Sequence, residues 1–306
     1  MKLAVEFPSI IYREGPAAVV ELARAVERIG YDQLDVFDHV VMGLPVDGRA
    51  NGPYPPAMPI MEALITLGYV AAVTERIGLG TEVLVLPQRQ PVLVAKQVST
   101  LDTLSGGRVR LGVGVGWQES EFDALGMDFH TRGAAMDEAI ALLKECWTEP
   151  SIDASGEHYP VEAMAMEPKP PNEGGPPIWI GGGAPVALKR AGAVGAGWLA
   201  TAGAGAESIA TVKRYAEEAG RDPDAMGFQK QLSPIPGNDD PGGAARAFYQ
   251  DADAAAASAG AAVEAGFDWG AINITAVFQS GARSGEQMAE VLETLHERVR
   301  REVGYD

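Results

Sequence analysis

The chain has 306 residues and a formal net charge of −18 at neutral pH, with 24 Lys and Arg against 42 Asp and Glu. A chain of this length buries roughly 75% of the surface that its unfolded form exposes, so its stability needs neither a disulfide nor a metal ion. The acidic balance argues against nucleic acid or an anionic membrane as a partner, because both attract Lys and Arg. An anionic ligand would have to be held locally, by backbone N–H groups or a few placed cations.

The amino-terminal segment lacks the features of a targeting sequence. MKLAVEFPSIIYREG is interrupted by Glu6, Pro8 and Arg13, and no small-residue cleavage pattern follows. No uncharged stretch approaches the ~20 apolar residues that a transmembrane helix needs. The single cysteine, Cys146, excludes an intramolecular disulfide and favours a reducing compartment. We therefore expect a cytoplasmic protein.

Apolar runs alternate with segments of helical spacing along the chain. The pattern predicts strands at residues 3–7, 33–37, 76–86, 108–115, 177–180, 197–201, 226–232 and 269–275. It predicts helices at 16–29, 59–73, 91–104, 136–147, 184–193, 206–219, 244–265 and 285–301. Eight strand–helix units favour an α/β protein with a (β/α)8 TIM barrel, formed as a single domain over residues 1–306. A doubly wound open sheet is the alternative.

Two long segments interrupt this rhythm. Residues 43–59 follow strand two and are rich in Gly and Pro, and residues 151–175 precede strand five. Because the first segment leaves the carboxyl end of a strand, we interpret it as a substrate lid, the alternative being a solvent loop. The second begins SIDASGEHYPV, which predicts a short hairpin that turns at Ser155-Gly156.

The strand ends of a barrel carry its chemistry, and strand two ends in Asp38-His39. Histidine exchanges a proton near neutral pH, so His39 is the candidate general acid or base. A core histidine bonded to a backbone carbonyl is the alternative. Asp38 is either a cofactor contact or a cap for the loop that follows.

Strands three and four are rich in glycine. Glu82 lies in the apolar run after Gly78 and Gly80, and its carboxylate needs a definite partner if it is buried. Gly112, Gly114 and Gly116 alternate along strand four, so a flat ring or a phosphate could approach the backbone there. The alternative is that small residues simply fill the taper of the barrel.

Strand five leads through Gly181, Gly182 and Gly183 into a helix. Free N–H groups at a helix amino terminus bind anions without positive side chains, so this segment is the candidate phosphate site. We interpret Lys189-Arg190, further along the helix, as a solvated face. The sequence contains neither a GxxxxGK[ST] loop nor a GxSxG elbow, and no His, Cys and Asp cluster has the spacing of a metal site.

The motifs together are similar to a known family. Asp38-His39, the block RIGLGTEVLVLPQRQPVLVAKQVSTLDTLSGGRVRLGVGVGWQESEFDALG at residues 76–126, and PPIWIGGG from Pro176 resemble the luciferase-like flavin- or deazaflavin-dependent oxidoreductases. The resemblance implies a barrel whose flavin-type cofactor lies at the carboxyl face of the strands. The GVGVGW sequence resembles the branch that uses coenzyme F420, with FMN as the alternative. Similar proteins are commonly homodimers.

The resemblance also assigns roles to individual residues. A non-proline cis peptide behind the cofactor ring matches Glu82–Val83, the phosphate contacts match Val115-Gly116 and Gly182-Gly183, and His39 matches a position beside the reactive ring. The implied cofactor-binding set is Asp38, Glu82, Val83, Gly114, Val115, Gly116, Trp117, Gly181, Gly182 and Gly183. One position departs from the pattern: Trp117 stands where the sugar-phosphate dehydrogenases of the family have a carboxylic acid, which argues against a glucose-6-phosphate-like substrate.

Three functions remain open from the sequence. The first is an F420-dependent oxidoreductase that transfers a hydride to or from a small organic substrate, with His39 handling the proton. The second is an FMN-dependent monooxygenase that uses reduced flavin and oxygen. The third is a protein that binds a flavin compound without turnover. The substrate cannot be identified, although Tyr54, Met58 and Met61 hint at an apolar or aromatic ligand.

Overall fold

The computed structural model describes residues 1–48, 54–233 and 247–304. The strands of its main sheet are β1 Lys2–Glu6, β2 Gln33–Val36, β3 Gly78–Thr81, β4 Leu84–Val85, β5 Val109–Gly114, β8 Ile178–Gly181, β9 Gly197–Ala200, β10 Gly227–Gln231 and β11 Trp269–Asn273. These strands are parallel and form one closed barrel in the order β3-β2-β1-β11-β10-β9-β8-β5-β4, and β3 pairs with β5 to close it. Since β3 and β4 are two halves of one barrel position, the barrel has eight positions, and the predicted TIM barrel is confirmed.

Helices follow the strands and cover the barrel. They are α1 Pro16–Ile29, α2 Ala63–Ala71, α3 Pro91–Ser105, α4 Glu119–Leu125, α5 Arg132–Thr148, α6 Pro185–Val194, α7 Ala206–Glu218, α8 Ala252–Glu264, α9 Ile274–Gln279 and α10 Gly285–Val303. Helix α1 shows why the sequence pattern works. Proline occupies its first turn, Gly30 ends it with φ of 106°, and its buried face is apolar (Val19, Leu22, Ala23 and Val26).

Several predicted boundaries differ from the structure for local reasons. The predicted strand 76–86 is split because residues 82–83 leave the ladder between β3 and β4. Helix α2 begins at Ala63 rather than residue 59, since the Glu62 side chain accepts the Ile65 N–H and caps it there. Strand β11 ends at Asn273, whose side chain caps the unpredicted helix α9. Helix α4 was also not predicted.

The two long segments have different structures. The described residues of the predicted lid, 43–48 and 54–59, form no helix, and residues 49–53 of that prediction lie outside the described residues. The predicted hairpin is present as β6 Ile152–Ala154 and β7 Val161–Met164, which pair antiparallel. The Glu138 carboxylate fixes its connection by accepting the N–H groups of residues 157–159. The predicted helix 244–265 is observed from Ala252, and its residues 244–246 lie outside the described residues.

Glycine on strand β5 permits close contact with β3. A Cβ atom on Gly112 would lie 1.9 Å from the Thr81 carbonyl oxygen, so the strands would have to separate. We expect Gly112→Ala to lower the free energy of unfolding by about 1–3 kcal/mol, as overpacked cores do. Urea unfolding followed by circular dichroism measures the effect.

Gly133→Ala is the control for this substitution. Nothing lies within 4 Å of the position that a methyl group on Gly133 would take in helix α5, so the change should be neutral or slightly stabilising. Equal stability of the two variants would contradict this account of the contact between β3 and β5.

Candidate active site

A cavity of about 550 Å³ opens at the carboxyl ends of the barrel strands. Ten of the eleven predicted site residues line it: Asp38, His39, Glu82, Val83, Gly114, Val115, Gly116, Trp117, Gly181 and Gly182. Gly183 is adjacent in sequence but does not line the cavity. The parallel strands bring these residues together, since every strand of the barrel ends at this face. Their roles toward a cofactor remain predictions.

Val83 forms one wall of this cavity, in the interruption between β3 and β4. The Glu82–Val83 peptide bond is cis, as the family resemblance implied. A Cβ atom on Gly114 or on Gly181 would lie 2.6 Å from a methyl group of Val83. The two glycines of neighbouring strands β5 and β8 therefore leave the space that this side chain fills. At Gly112 and Gly114 the glycine face of β5 is covered by the adjacent strand, which favours the packing alternative over open approach of a ligand.

His39 is held by a residue that the sequence analysis missed. Its Nδ1 lies 2.9 Å from the Glu121 Oε2, and the Glu121 side chain is 1% exposed. The other carboxylate oxygen accepts the N–H groups of Val40 at 2.5 Å and Val41 at 3.2 Å. Glu121 belongs to helix α4, which follows strand β5 directly. With Nδ1 occupied by the carboxylate, the imidazole has its Nε2 left for other partners.

The carboxylate of Glu121 is kept ionised by these contacts. Burial by itself would raise the pKa of Glu121, but the hydrogen bonds from His39 and from the backbone hold the pKa below its ordinary value. Gln118 adds a second tie, because its amide donates to the Val41 carbonyl and accepts the Gly43 N–H. The start of the loop after β2 is thus attached to the start of α4.

Asp38 forms hydrogen bonds that connect two segments of the site. Its two oxygens accept a bidentate pair of hydrogen bonds from Arg89, at 2.7 and 2.9 Å, and Oδ2 also accepts the Val85 N–H. Burial raises the pKa of Asp38 in spite of the Arg89 guanidinium. These contacts join the end of β2 to the segment after β4. The predicted contact of Asp38 with a cofactor remains a prediction.

Aromatic side chains surround His39 at the cavity mouth. The ring centroids of Trp117 and Tyr54 lie 5.4 and 5.7 Å from that of His39, both in edge-to-face geometry. Trp117 is 42% exposed, and the neighbouring side chains of Val40, Val41 and Leu44 are exposed as well. The entrance to the cavity is therefore mainly apolar.

Part of the cavity lining is acidic. Glu6, the last residue of β1, and Glu82 both line it, and both receive hydrogen bonds from neutral amides. Gln231 and Asn273 donate to Glu6 at 2.9 and 3.1 Å, and Gln229 donates to Glu82 at 2.7 Å. Burial first, and then the charge of Asp35, raise the pKa of Glu6 to about 7. Burial, with Asp35 and Glu6, raises the pKa of Glu82 well above its usual range.

Part of the predicted anion site already forms hydrogen bonds within the protein. Gly116 and Gly182 have φ of 74° and 123° and line the same cavity, which brings the two glycine-rich strand ends together. The Gly182 N–H, however, donates to the Leu199 carbonyl at 3.4 Å, and its carbonyl accepts from Trp198 Nε1. Helix α6 then begins at Pro185 with Ala184 as N-cap and no side-chain cap among the described residues. In its first turn Pro185 has no N–H and the Ala187 N–H donates to the Ala184 carbonyl at 2.8 Å, which leaves the N–H of Val186 for an anion.

The remaining predictions concern other ligands. In residues 1–48, 54–233 and 247–304, no three His, Cys, Asp or Glu side chains are arranged to hold a metal ion. Over the same ranges, no helix is both long and apolar enough to cross a membrane. Cys146 is buried on helix α5 among apolar side chains, and burial raises the pKa of its thiol.

Two proteins are similar to this chain in sequence. An uncharacterised protein of Mycobacterium tuberculosis is 35% identical over 213 residues, covering 66% of this chain and 72% of that protein. An F420-dependent glucose-6-phosphate dehydrogenase of Rhodococcus hoagii is 33% identical over 220 residues, covering 68% of this chain and 61% of that enzyme.

Solved structures share the architecture. An F420-dependent secondary alcohol dehydrogenase, in complex with an F420–acetone adduct, superposes with a TM-score of 0.77 at 19% identity, covering 98% of this chain and 99% of that one. A coenzyme F420-dependent tetrahydromethanopterin reductase of Methanopyrus kandleri gives 0.73 at 16% identity, with 95% and 97% coverage. At these identities the likeness establishes the fold. The model of the luciferase-like monooxygenase family matches residues 3–303, and the chain belongs to that family.

Proposed function

We propose that this protein is an F420-dependent oxidoreductase that transfers a hydride between the deazaflavin and a small organic substrate. The observation that carries the proposal is one cavity that is lined by His39, Val83 and the glycine-rich strand ends, with Glu121 bonded to His39. The similarity to F420-dependent dehydrogenases, at 33% identity for the Rhodococcus hoagii enzyme, supports the choice of cofactor.

The residues of the cavity fit a flavin-type cofactor. Val83 occupies the space that side chains on Gly114 and Gly181 would need, and the result is a wall without protruding side chains on those strands. Beside it, Val115-Gly116 and the segment from Gly182 into helix α6 offer backbone N–H groups in a chain with a net charge of −18. Such donors suit a phosphate without requiring a cationic side chain. These residues would hold the cofactor.

The bound cofactor would supply the hydride exchange, and the chain supplies binding, orientation and proton transfer. In our proposal the Glu121 carboxylate fixes the orientation of the His39 ring. Nε2 of His39 then takes or gives the substrate proton in step with the hydride. Trp117 and Tyr54 keep water away from the imidazole.

The mouth of the cavity favours an apolar substrate. Trp117 and Tyr54 line the cavity beside His39 and are 42% and 38% exposed, and Phe37 lines it next to Tyr54. The cationic side chain in the described lining, Lys230, already donates to the Ala204 carbonyl at 2.9 Å. A second phosphate, such as that of a sugar phosphate, would find no evident counter-charge among these residues. We therefore propose a small carbonyl compound or alcohol with an apolar body.

Cofactor choice is tested by titrating the purified protein with F420 and with FMN and following fluorescence quenching. We expect F420 to bind more tightly and to be reduced or oxidised when candidate alcohols or carbonyl compounds are screened. Preferential binding of FMN, with oxygen consumed on reduction, would instead support the monooxygenase. Tight F420 binding without any exchange of hydride, across the screen, would support the carrier.

The anion site gives a prediction about charge. We expect Gly182→Asp to weaken F420 binding at least about tenfold relative to Gly182→Asn, because a carboxylate beside the phosphate repels it. The two variants have nearly the same shape and the same backbone strain at φ of 123°, so their difference isolates the charge. Fluorescence titration measures both dissociation constants. Equal affinities would move the phosphate away from this loop.

The His39–Glu121 pair gives a prediction about turnover. We expect His39→Ala to bind F420 normally and to lose turnover by ~10²–10⁴-fold, and Glu121→Gln to lose turnover by about 10²-fold. A structural role alone would change stability and binding instead. The 15N chemical shift of His39 Nδ1 should also move in Glu121→Gln, since the carboxylate contact is lost.

Glu119→Gln is the matched control for this pair. Glu119 lies on the same helix and carries the same charge, but its side chain is 58% exposed and faces His130. We expect it to retain wild-type turnover and binding. Weakened cofactor affinity with normal turnover in His39→Ala would make His39 a binding residue, contrary to the proposal.

A further inference from the structure

Around Glu6 and Glu82 there are more carboxyl groups than the nearby cation neutralises. Asp35, Glu6 and Glu82 lie together in the barrel, and the charge of Asp35 raises the pKa of both glutamates. The cation among them is Arg110, whose Nη2 lies 2.5 Å from Asp35 and 2.9 Å from the amide oxygen of Gln229. Its guanidinium is also fixed between Trp179 and Trp269, at 4.5 and 4.8 Å from their rings. Arg110 is paired with Asp35, and its charge also acts on Glu82, but the pKa of Glu82 is still raised. Within the described part of the chain, Glu6 and Glu82 have no ion pair of their own.

Two unneutralised carboxylates are costly in such a place. A buried ionised carboxyl group without a cation changes its protonation state rather than stay charged. The donors to Glu6 and Glu82 are side-chain amides, which do not supply a full positive charge. The pair must therefore hold at least one proton in the neutral protein. Burial and the neighbouring acids raise the pKa of Glu82 well above its usual range and that of Glu6 to about 7, so we assign the proton that exchanges near neutral pH to Glu6.

We propose that Glu6 is a second proton-exchanging group of the active site, which presents its carboxylic O–H to a carbonyl-type oxygen or ring nitrogen bound in the cavity. When negative charge develops on that ligand atom during hydride transfer, the O–H bond of Glu6 breaks and the proton moves to the ligand. The Glu6 carboxylate that remains is reprotonated from water after the ligand leaves. The reverse reaction moves the proton from the ligand to the carboxylate. The hydride step rests on the proposed function, whereas the protonation of Glu6 does not.

Several other groups near Glu6 can titrate or carry charge. They face it from the surrounding strands and segments: Asp35, Glu82, Arg110, Tyr54 and Tyr249. Burial raises the pKa of Tyr249 and that of Tyr54 above their ordinary values, so neither group ionises near neutral pH. Lys230 and His39 line the same cavity. The variants described below distinguish the effect of His39 from that of Glu6.

The first test uses the protein without cofactor. The folded pKa of Glu6, about 7, exceeds the value of about 4.3 for an unfolded glutamate. The folded state therefore binds more protons in this interval, and Glu6 lowers stability as the pH rises through it. Glu6→Gln keeps an acceptor for Gln231 and Asn273 but cannot ionise. We expect its urea midpoint to rise relative to wild type between about pH 4.5 and 7 and to level off above. Glu217→Gln, an exposed change on helix α7, should track the wild type.

Parallel midpoints of Glu6→Gln and wild type across this range would overturn the proposal. This result does not depend on F420, so it is distinct from a failure of the proposed function, which would appear as no binding of F420 to the wild-type protein. A misfolded Glu6→Gln would be replaced by Asp35→Asn, which removes the nearby negative charge that raises the pKa of Glu6. We expect that variant to lower the pH at which the wild-type profile changes, and no change would again count against the proposal.

The second test uses the loaded enzyme. In the direction that needs the Glu6 proton, wild-type kcat should fall as the pH rises through about 7. Glu6→Gln should be ~10²–10⁴-fold slower than wild type, and its kcat should not fall over this pH range. His39→Ala should also be slow, but its kcat should still fall as the pH rises through about 7.

Calorimetry of F420 binding, in buffers of different ionisation enthalpy, then identifies the molecule that exchanges a proton with Glu6. A change in proton uptake in Glu6→Gln indicates the cofactor, and no change indicates the substrate. Unaltered turnover and pH profile in Glu6→Gln would overturn the catalytic role while the proposed function stood.

Discussion

The position of one side chain, Val83, determines much of the cavity. Its methyl groups fill the space beside two neighbouring strands, and this is possible because both strands carry glycine there, at Gly114 and Gly181. Any larger residue at either position would push Val83 into the cavity or force the strands apart. The glycine-rich strand ends and the interruption between β3 and β4 are therefore one structural unit. The wall that faces the ligand depends on all three residues at once.

Two glutamates lie at or beside this cavity, and their surroundings shift their pKa values in opposite directions. Glu121 receives hydrogen bonds from His39 and from backbone N–H groups, which lower its pKa, so it is a fixed negative charge. Glu6 receives hydrogen bonds from amides and lies near other acids, and burial raises its pKa to about 7. One glutamate therefore has a lowered pKa and the other a raised pKa. Residue type alone does not distinguish these behaviours, because both residues are glutamates.

The fold was predictable from the sequence because it is encoded locally. Alternation of apolar runs with helical spacing identifies each strand–helix unit, and glycines such as Gly30 mark where helices end. Boundaries were less accurate where a side chain decides them. Glu62 starts helix α2 and Asn273 ends strand β11, and periodicity contains neither effect.

The site was predictable only in part, for the same physical reason. Residues at strand ends were found, since a barrel gathers them on one face, and the cis peptide at Glu82–Val83 followed from family resemblance. Glu121 was missed because it meets His39 across 82 residues of chain. Glu6 was visible as a charged residue in the apolar run LAVEF, but its partners Gln231 and Asn273 lie 225 and 267 residues away. Contacts over such separations have no local signal.

A single carboxylate, that of Glu121, sets two parts of the site at once. One oxygen lies 2.9 Å from Nδ1 of the His39 ring, and the other accepts the N–H groups of Val40 and Val41 at the start of the segment after β2. The imidazole and the backbone of residues 40–41 therefore share one anchor, and a substitution of Glu121 would loosen both at the same time.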